Sequence, residues 1–100
     1  MFKAIILLTR RADMSREDFA DWWLKRHAPL ARQLPGLRKL TFNLVNADAG
    51  IDGVSELWFD SHAAFESAYA GEMGKRVAAD SMAHVARRER LFVAEHPQLG

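Results

Sequence analysis

The chain has 100 residues, of which 49 % are hydrophobic and 27 % charged, a formal net charge of +1, and no cysteine. One domain spanning residues 1–100 is expected at that length. The apolar share and low net charge exclude a disordered chain, and the missing thiol excludes disulfides, thiolate chemistry, Cys-bound zinc and iron–sulfur clusters. Charges of both signs are interspersed without the basic stripe that grips nucleic acid. The longest aliphatic run, Ala4 to Leu8, is far short of the roughly 20 residues of a membrane span. No signal-peptide layout surrounds it, so a soluble, cytoplasmic protein is expected, with no nucleic-acid or membrane partner. Three Trp, six Phe and one Tyr are a heavy aromatic load for one small core.

Phe2 to Thr9 reads as a strand. Ala4, Ile6 and Leu8 alternate with Ile5 and Leu7, so both faces are apolar, as in a central strand covered on both sides. A helix then starts at Ser15, whose hydroxyl can accept an orphan backbone N–H. Asp18 suits the positive end of that helix, and Met14 and Phe19 have the spacing of a hydrophobic staple. The helix is predicted to run to about Leu34, before Pro35-Gly36. Pro29 lies inside it and predicts a kink or short break around Ala28.

Leu37 to Val45 is the second predicted strand, with Leu40, Phe42 and Leu44 facing away from Thr41, Asn43 and Val45. A polar loop follows, and Val54 to Phe59 forms a third strand in which Leu57 and Phe59 oppose Val54, Glu56 and Trp58. Ser61 caps a second helix carrying Phe65, Ala68 and Tyr69, which Gly71 and Gly74 are expected to break. A further helical stretch holds Val77, Ala78, Met82 and Val85, and the last strand covers about Arg90 to Glu95. Arg87, Arg88 and Arg90 read as a solvated strand edge, with an anion contact as the alternative.

The order βαββαβ predicts an α+β, ferredoxin-like fold, an antiparallel sheet with helices on one face. Two helices cover only one face of a sheet that is apolar on both. The uncovered patch predicts an interface, and hence a homodimer packed through its sheet faces, a dimeric α/β barrel.

On a helical wheel of about 100° per residue, His27 falls inside the apolar arc of Phe19, Trp23, Leu30 and Leu34, whereas Trp22 falls off it. Burial disfavours the imidazolium, and a neutral imidazole near pH 7 can act as a general base. His27 is therefore the candidate catalytic residue; the competing reading is a core histidine satisfied by a backbone carbonyl. Trp23, Leu30, Leu40, Phe42 and Trp58 are candidates to line a substrate pocket. Asn43 and Glu56 are candidates to orient substrate, against a sheet-surface amide and an outward salt bridge. His84 is a further candidate, against a solvated helix end, while His62 and His96 are expected to be exposed. The four histidines lack metal-ligand spacing, and there is no phosphate-binding loop or nucleophile elbow. Neither a metal nor a cofactor is expected.

The run Arg26-His27-Ala28-Pro29-Leu30, followed by Leu34-Pro35-Gly36-Leu37, resembles the H-x-P-L…P-G signature of the EthD-like family within the dimeric α/β-barrel superfamily. Glu56-Leu57-Trp58-Phe59 before a Ser-capped helix, and Arg90-Leu91-Phe92-Val93 with Glu95-His96-Pro97, are similar to the same family. The resemblance extends from about Lys3 to Pro97. It implies a ferredoxin-like protomer that dimerises through its sheets, with the histidine matching His27 as an acid/base between helices and sheet. The family includes proteins similar to methylmuconolactone methylisomerase, polyketide cyclases and fungal polyketide dehydratases or decarboxylases. Its name-giving member accompanies an ether-degrading cytochrome system.

Two functions follow as expectations. One is a small cofactor-independent enzyme that moves a proton on an apolar, oxygenated ring compound such as a lactone, phenol or polyketide. The other is a non-enzymatic accessory or ligand-binding protein supporting an oxidative catabolic system. A haem-binding or oxygen-using relative is a third, weaker reading, since the superfamily contains both.

Overall fold

The computed structural model describes residues 1–100. Four strands form one antiparallel sheet: β1 (Phe2–Arg10), β2 (Lys39–Leu44), β3 (Gly53–Phe59) and β4 (Val85–Val93), in the order β2-β3-β1-β4. The helices are α1 (Arg16–Trp22), a π-helical turn (Trp23–His27), α2 (Ala28–Ala31), α3 (His62–Ala70) and α4 (Glu72–His84). The fold is α+β and ferredoxin-like, as its order of elements predicts.

Alternation along β1 sorts the two faces. Ala4, Ile6 and Leu8 are buried against Phe19, Trp23, Phe65 and Val77 from the helices, and Leu57 and Phe59 join them from β3. Burying each such large side chain contributes about 1.5–3 kcal/mol. Lys3, Ile5 and Leu7 point to the other face, where no helix lies. Their register partners there include Val54, Glu56, Trp58, Leu91 and Val93. That face holds a half-open apolar strip of Ile5, Leu7, Val54, Leu91 and Val93.

The first helix is capped as predicted, with Ser15 Oγ accepting from Asp18 N at 3.0 Å. It does not break at Ala28. The chain stays helical to Ala31, and the irregularity lies just upstream, where the Ala28 N–H reaches back five residues to the Trp23 carbonyl. The proline ring cannot donate and crowds the preceding turn, and one wide turn absorbs that disturbance. The wide turn also changes which side chains face inward. Trp22, off the arc on an ideal wheel, is buried beside Trp23.

Two glycine positions matter for packing. Gly71 separates α3 from α4, but Gly74 lies inside α4 instead of breaking a helix. A Cβ there would meet the backbone of Ala68 and Tyr69, so Gly74 is where α3 and α4 approach most closely. A Cβ at Gly53 would stand 2.7 Å from the Trp23 indole, so β3 is bare where that ring lies on the sheet.

The last strand begins earlier than expected. Val85 is its first residue and not part of the helical stripe, and Met82 is 60 % exposed while Gly74, Val77 and Ser81 form the buried face of α4. The charged run Ala86–Arg90 hides an edge strand, where alternating charges discourage pairing with other chains. Arg87 is solvated as expected, but Arg88 pairs in register with Leu8 and so starts from the helix-covered face.

A candidate acid–base site

The π turn delivers His27 to the interior, 4 % exposed. Its Nδ1 stands 2.8 Å from Asp80 Oδ2, and its Nε2 stands 3.3 Å from Ser81 Oγ. Trp22 Nε1 donates to the same Asp80 oxygen at 3.2 Å. Indole can only donate, so that oxygen is an acceptor, and a neutral His27 satisfies it with its Nδ1–H. The Nε2 lone pair then accepts from the Ser81 hydroxyl, and both residues are in the lining of one cavity. A carboxylate behind a histidine fixes the tautomer and steadies the imidazolium that forms when the ring takes a proton.

Burial holds His27 below its ordinary value of 6.5, in spite of the pull of Asp80, and nearby Arg88 adds to the lowering. The ring is therefore neutral near pH 7 and free to accept a proton.

His27 opens on a narrow cavity between helices and sheet, lined also by Trp23, Leu40, Phe42, Tyr69, Ser81 and Arg88 among others. Its free volume is about 10 Å³, room for about one water. Phe42 stacks on Trp23 with ring centroids 4.2 Å apart. Leu40 and Phe42, on the edge strand β2, are shared with an open outer pocket of about 260 Å³ completed by Leu24, Ala28 and Arg32. The wall between the two spaces is thus one pair of side chains on a strand with a single neighbour.

Of the residues singled out from sequence, Trp23, Leu40 and Phe42 surround the same cavity as His27. Leu30 packs against the core and lines neither space. His84 stacks on Trp22 at 4.4 Å and donates from Nδ1 to the Asp80 carbonyl at 2.8 Å, so it braces the dyad without lining the cavity. Asn43, Glu56 and Trp58 are on the open face, with the sheet between them and His27. There Lys3 Nζ stands 2.8 Å from Glu56 Oε1, and Asn43 Nδ2 donates to Glu56 Oε2 at 3.0 Å. Trp58 donates to Glu95 and lies under the ammonium groups of Lys3 and Lys39, each 4.6 Å from its ring. Lys3 and Asn43 hold the Glu56 carboxyl below the usual carboxylate range, which makes this corner a charge-paired brace. His62 is exposed, stacked on Phe2, and His96 is exposed.

Asp80, Ser81, Tyr69 and Arg88 complete the site and were not singled out from sequence as its members. Ser81 follows Val77 at i+4, which places it on the buried stripe of α4. Arg88 stands in the basic cluster for which an anion contact is the alternative reading, and its place under the helices follows from the strand register.

The molecule is thus a ferredoxin-like α+β protein with a buried His–Asp dyad on a cavity between helices and sheet. The sequence pattern of the EthD domain matches residues 11–88, and the chain belongs to the EthD family. Its fold resembles an ethyl tert-butyl ether D family protein from Bacillus halodurans C-125 (TM-score 0.82, 22 % identity, 96 % of this chain and 100 % of that one). It also resembles SnoaB, a cofactor-independent oxygenase from Streptomyces nogalater (TM-score 0.73, 19 % identity, 98 % and 95 % covered). A dimeric ferredoxin-like protein of unknown function from Thermobifida fusca is similar as well (TM-score 0.76, 16 % identity, 94 % and 90 % covered). No curated protein matches the sequence. No helix is long and apolar enough to cross a membrane.

Proposed function

We propose that this protein is a small acid–base enzyme that moves a proton on an apolar, oxygenated ring compound such as a lactone, phenol or polyketide. The observation that carries the reading is the dyad: a neutral, buried imidazole with Asp80 on Nδ1 and the opposite nitrogen on the Ser81 hydroxyl, in the lining of a cavity. In this reading His27 Nε2 takes a proton from carbon beside a carbonyl and returns it elsewhere on the ring. Asp80 positions the imidazole, and Trp23, Leu40 and Phe42 pack the apolar part of the substrate. General acid–base catalysis of this kind supplies about 10²–10⁴-fold, enough for activated carbon acids without a cofactor. Leu40 and Phe42 would swing aside to join the inner cavity to the outer pocket. The chain would work as a homodimer, its half-open strip covered by the same strip of a second copy.

The test is deuterium incorporation from heavy water at the acidic carbon of a panel of lactones and acyl phenols, followed by NMR. The protein should accelerate exchange and His27→Gln should lose that acceleration. Exchange undiminished in His27→Gln would refute the role of His27.

A further inference from the structure

Two residues that line the cavity carry polar groups that proton transfer by His27 leaves unused. Trp23 Nε1 and Arg88 Nε are buried and neither has a hydrogen-bond partner. They are the only buried side-chain nitrogen or oxygen atoms in the chain so placed, and both residues line the cavity onto which His27 opens. Both are N–H donors with no capacity to accept. A buried donor without a partner is costly, more so when it is charged, and this site has two beside one narrow space. The sheet explains how a guanidinium comes to be there. Arg88 pairs with Leu8, whose side chain is in the core, so its stem leaves the sheet under the helices. Its guanidinium then lies over the Tyr69 ring, 5.9 Å from the centroid, without a carboxylate partner. Lys3, also largely buried, is by contrast paired with Glu56 and Glu95 on the open face of the sheet. A water in the cavity can accept from a donor but does not balance the charge.

We propose that Arg88 and Trp23 form an oxyanion-binding end of this cavity, taking an enolate, phenolate or carboxylate oxygen of the ligand. The proposal rests on the proton-transfer reading and narrows its substrate class to ring compounds whose oxygen is, or becomes, negative. When His27 Nε2 takes the proton beside a carbonyl, the C–H electron pair becomes the carbon–carbon double bond of the enolate. The carbonyl π pair moves onto oxygen, and the Arg88 and Trp23 N–H groups receive that charge. Donors fixed before the reaction stabilise developing charge most effectively in a site that excludes water.

The experiment uses benzoate and benzamide, equal in shape and different in charge, titrated calorimetrically into the whole protein. Benzoate should bind about tenfold or more tightly than benzamide, as a charge-assisted contact to a half-buried guanidinium requires. Arg88→Gln should bring the two within about twofold, while Arg88→Lys should keep part of the preference. Trp23→Phe keeps an aromatic ring, removes only the indole donor, and should weaken benzoate more than benzamide; it serves where Arg88→Gln fails to fold. Equal affinities in the unmodified protein, no binding of either compound, or a benzoate preference that survives Arg88→Gln would each overturn the proposal. Proton exchange that depends on His27 without any preference for the anion sinks this proposal alone. A preference for the anion without such exchange sinks the proton-transfer reading instead.

Discussion

The Asp80 carboxylate stands 2.8 Å from His27 Nδ1 and thereby ties the wide turn of the first helical segment to the middle of α4. Because the same oxygen also takes the Trp22 indole N–H, one side chain orients both aromatic walls of the buried polar cluster. Asp80→Ala should leave two buried donors without an acceptor and cost about 2–4 kcal/mol, read from urea denaturation. Asp80→Asn keeps the shape but allows its amide to donate, which favours the wrong imidazole tautomer. It should fold and slow His27-dependent proton exchange by about tenfold or more. An Asp80→Asn protein with unchanged exchange would remove Asp80 from the mechanism.

Stability should depend on pH through His27. Its folded value lies below the ordinary 6.5 because burial opposes the charge. The unfolded chain therefore binds the proton first as pH falls. The contribution is complete above about pH 6.5 and is lost as pH drops from there through the lower folded value. Glu56 and Glu95, both held below their ordinary 4.5, lose their own contributions only in more acidic solution. Melting temperature should fall between pH 7.5 and pH 5 in the native protein, and His27→Gln should flatten that limb. An identical slope in both proteins would contradict a buried, neutral imidazole.

The two close glycines should respond differently to a methyl group. At Gly74 the added carbon meets the Ala68 carbonyl and the Tyr69 backbone, which cannot turn away. Gly74→Ala should destabilise by about 3 kcal/mol. At Gly53 it meets the indole of Trp23 at 2.7 Å, and a side chain can shift. Gly53→Ala should cost less, displace Trp23, and disturb ligand binding more than folding. Thermal melts paired with the benzoate titration separate the two effects.

The open sheet face makes a prediction about assembly. Light scattering should give twice the 11.3 kDa of one chain. Leu91, 47 % exposed and paired in register with Ile5 at the middle of the strip, can carry a charge in a lone protomer but not against a second sheet. Leu91→Glu should therefore yield folded monomers with unchanged far-ultraviolet circular dichroism. A monomeric native protein at micromolar concentration would contradict the sheet-to-sheet arrangement.

Much of the fold was legible because local signals agreed with global ones. The double-sided apolar pattern of β1, the Ser15 and Ser61 caps and the alternation in β3 each pointed to one element. The start of β4 was hidden because an edge strand rich in arginine carries no apolar signature. His27 was visible as a titratable group on an apolar arc, Trp23 followed from the same periodicity, and Phe42 from the alternation of β2. Asn43, Glu56 and Trp58 were misplaced relative to His27, although alternation along β2 and β3 already put them on the face away from Leu57. Asp80 and Arg88 depend on long-range pairing, 53 residues from His27 for Asp80, and no local pattern reports such a partner.

The wide turn Trp23–His27 contains one residue more than a regular helix needs. Losing one residue there would let the segment close into ordinary α-helix while the turns on either side kept their facing, because the wide turn is what absorbs the extra residue. That turn holds Phe19 and Trp22 before it on the same inward side as His27 and Ala31 after it. A single codon lost here should therefore be a local event that leaves His27 facing inward, whereas one lost elsewhere in the helix would turn one half of it by about 100° against the sheet.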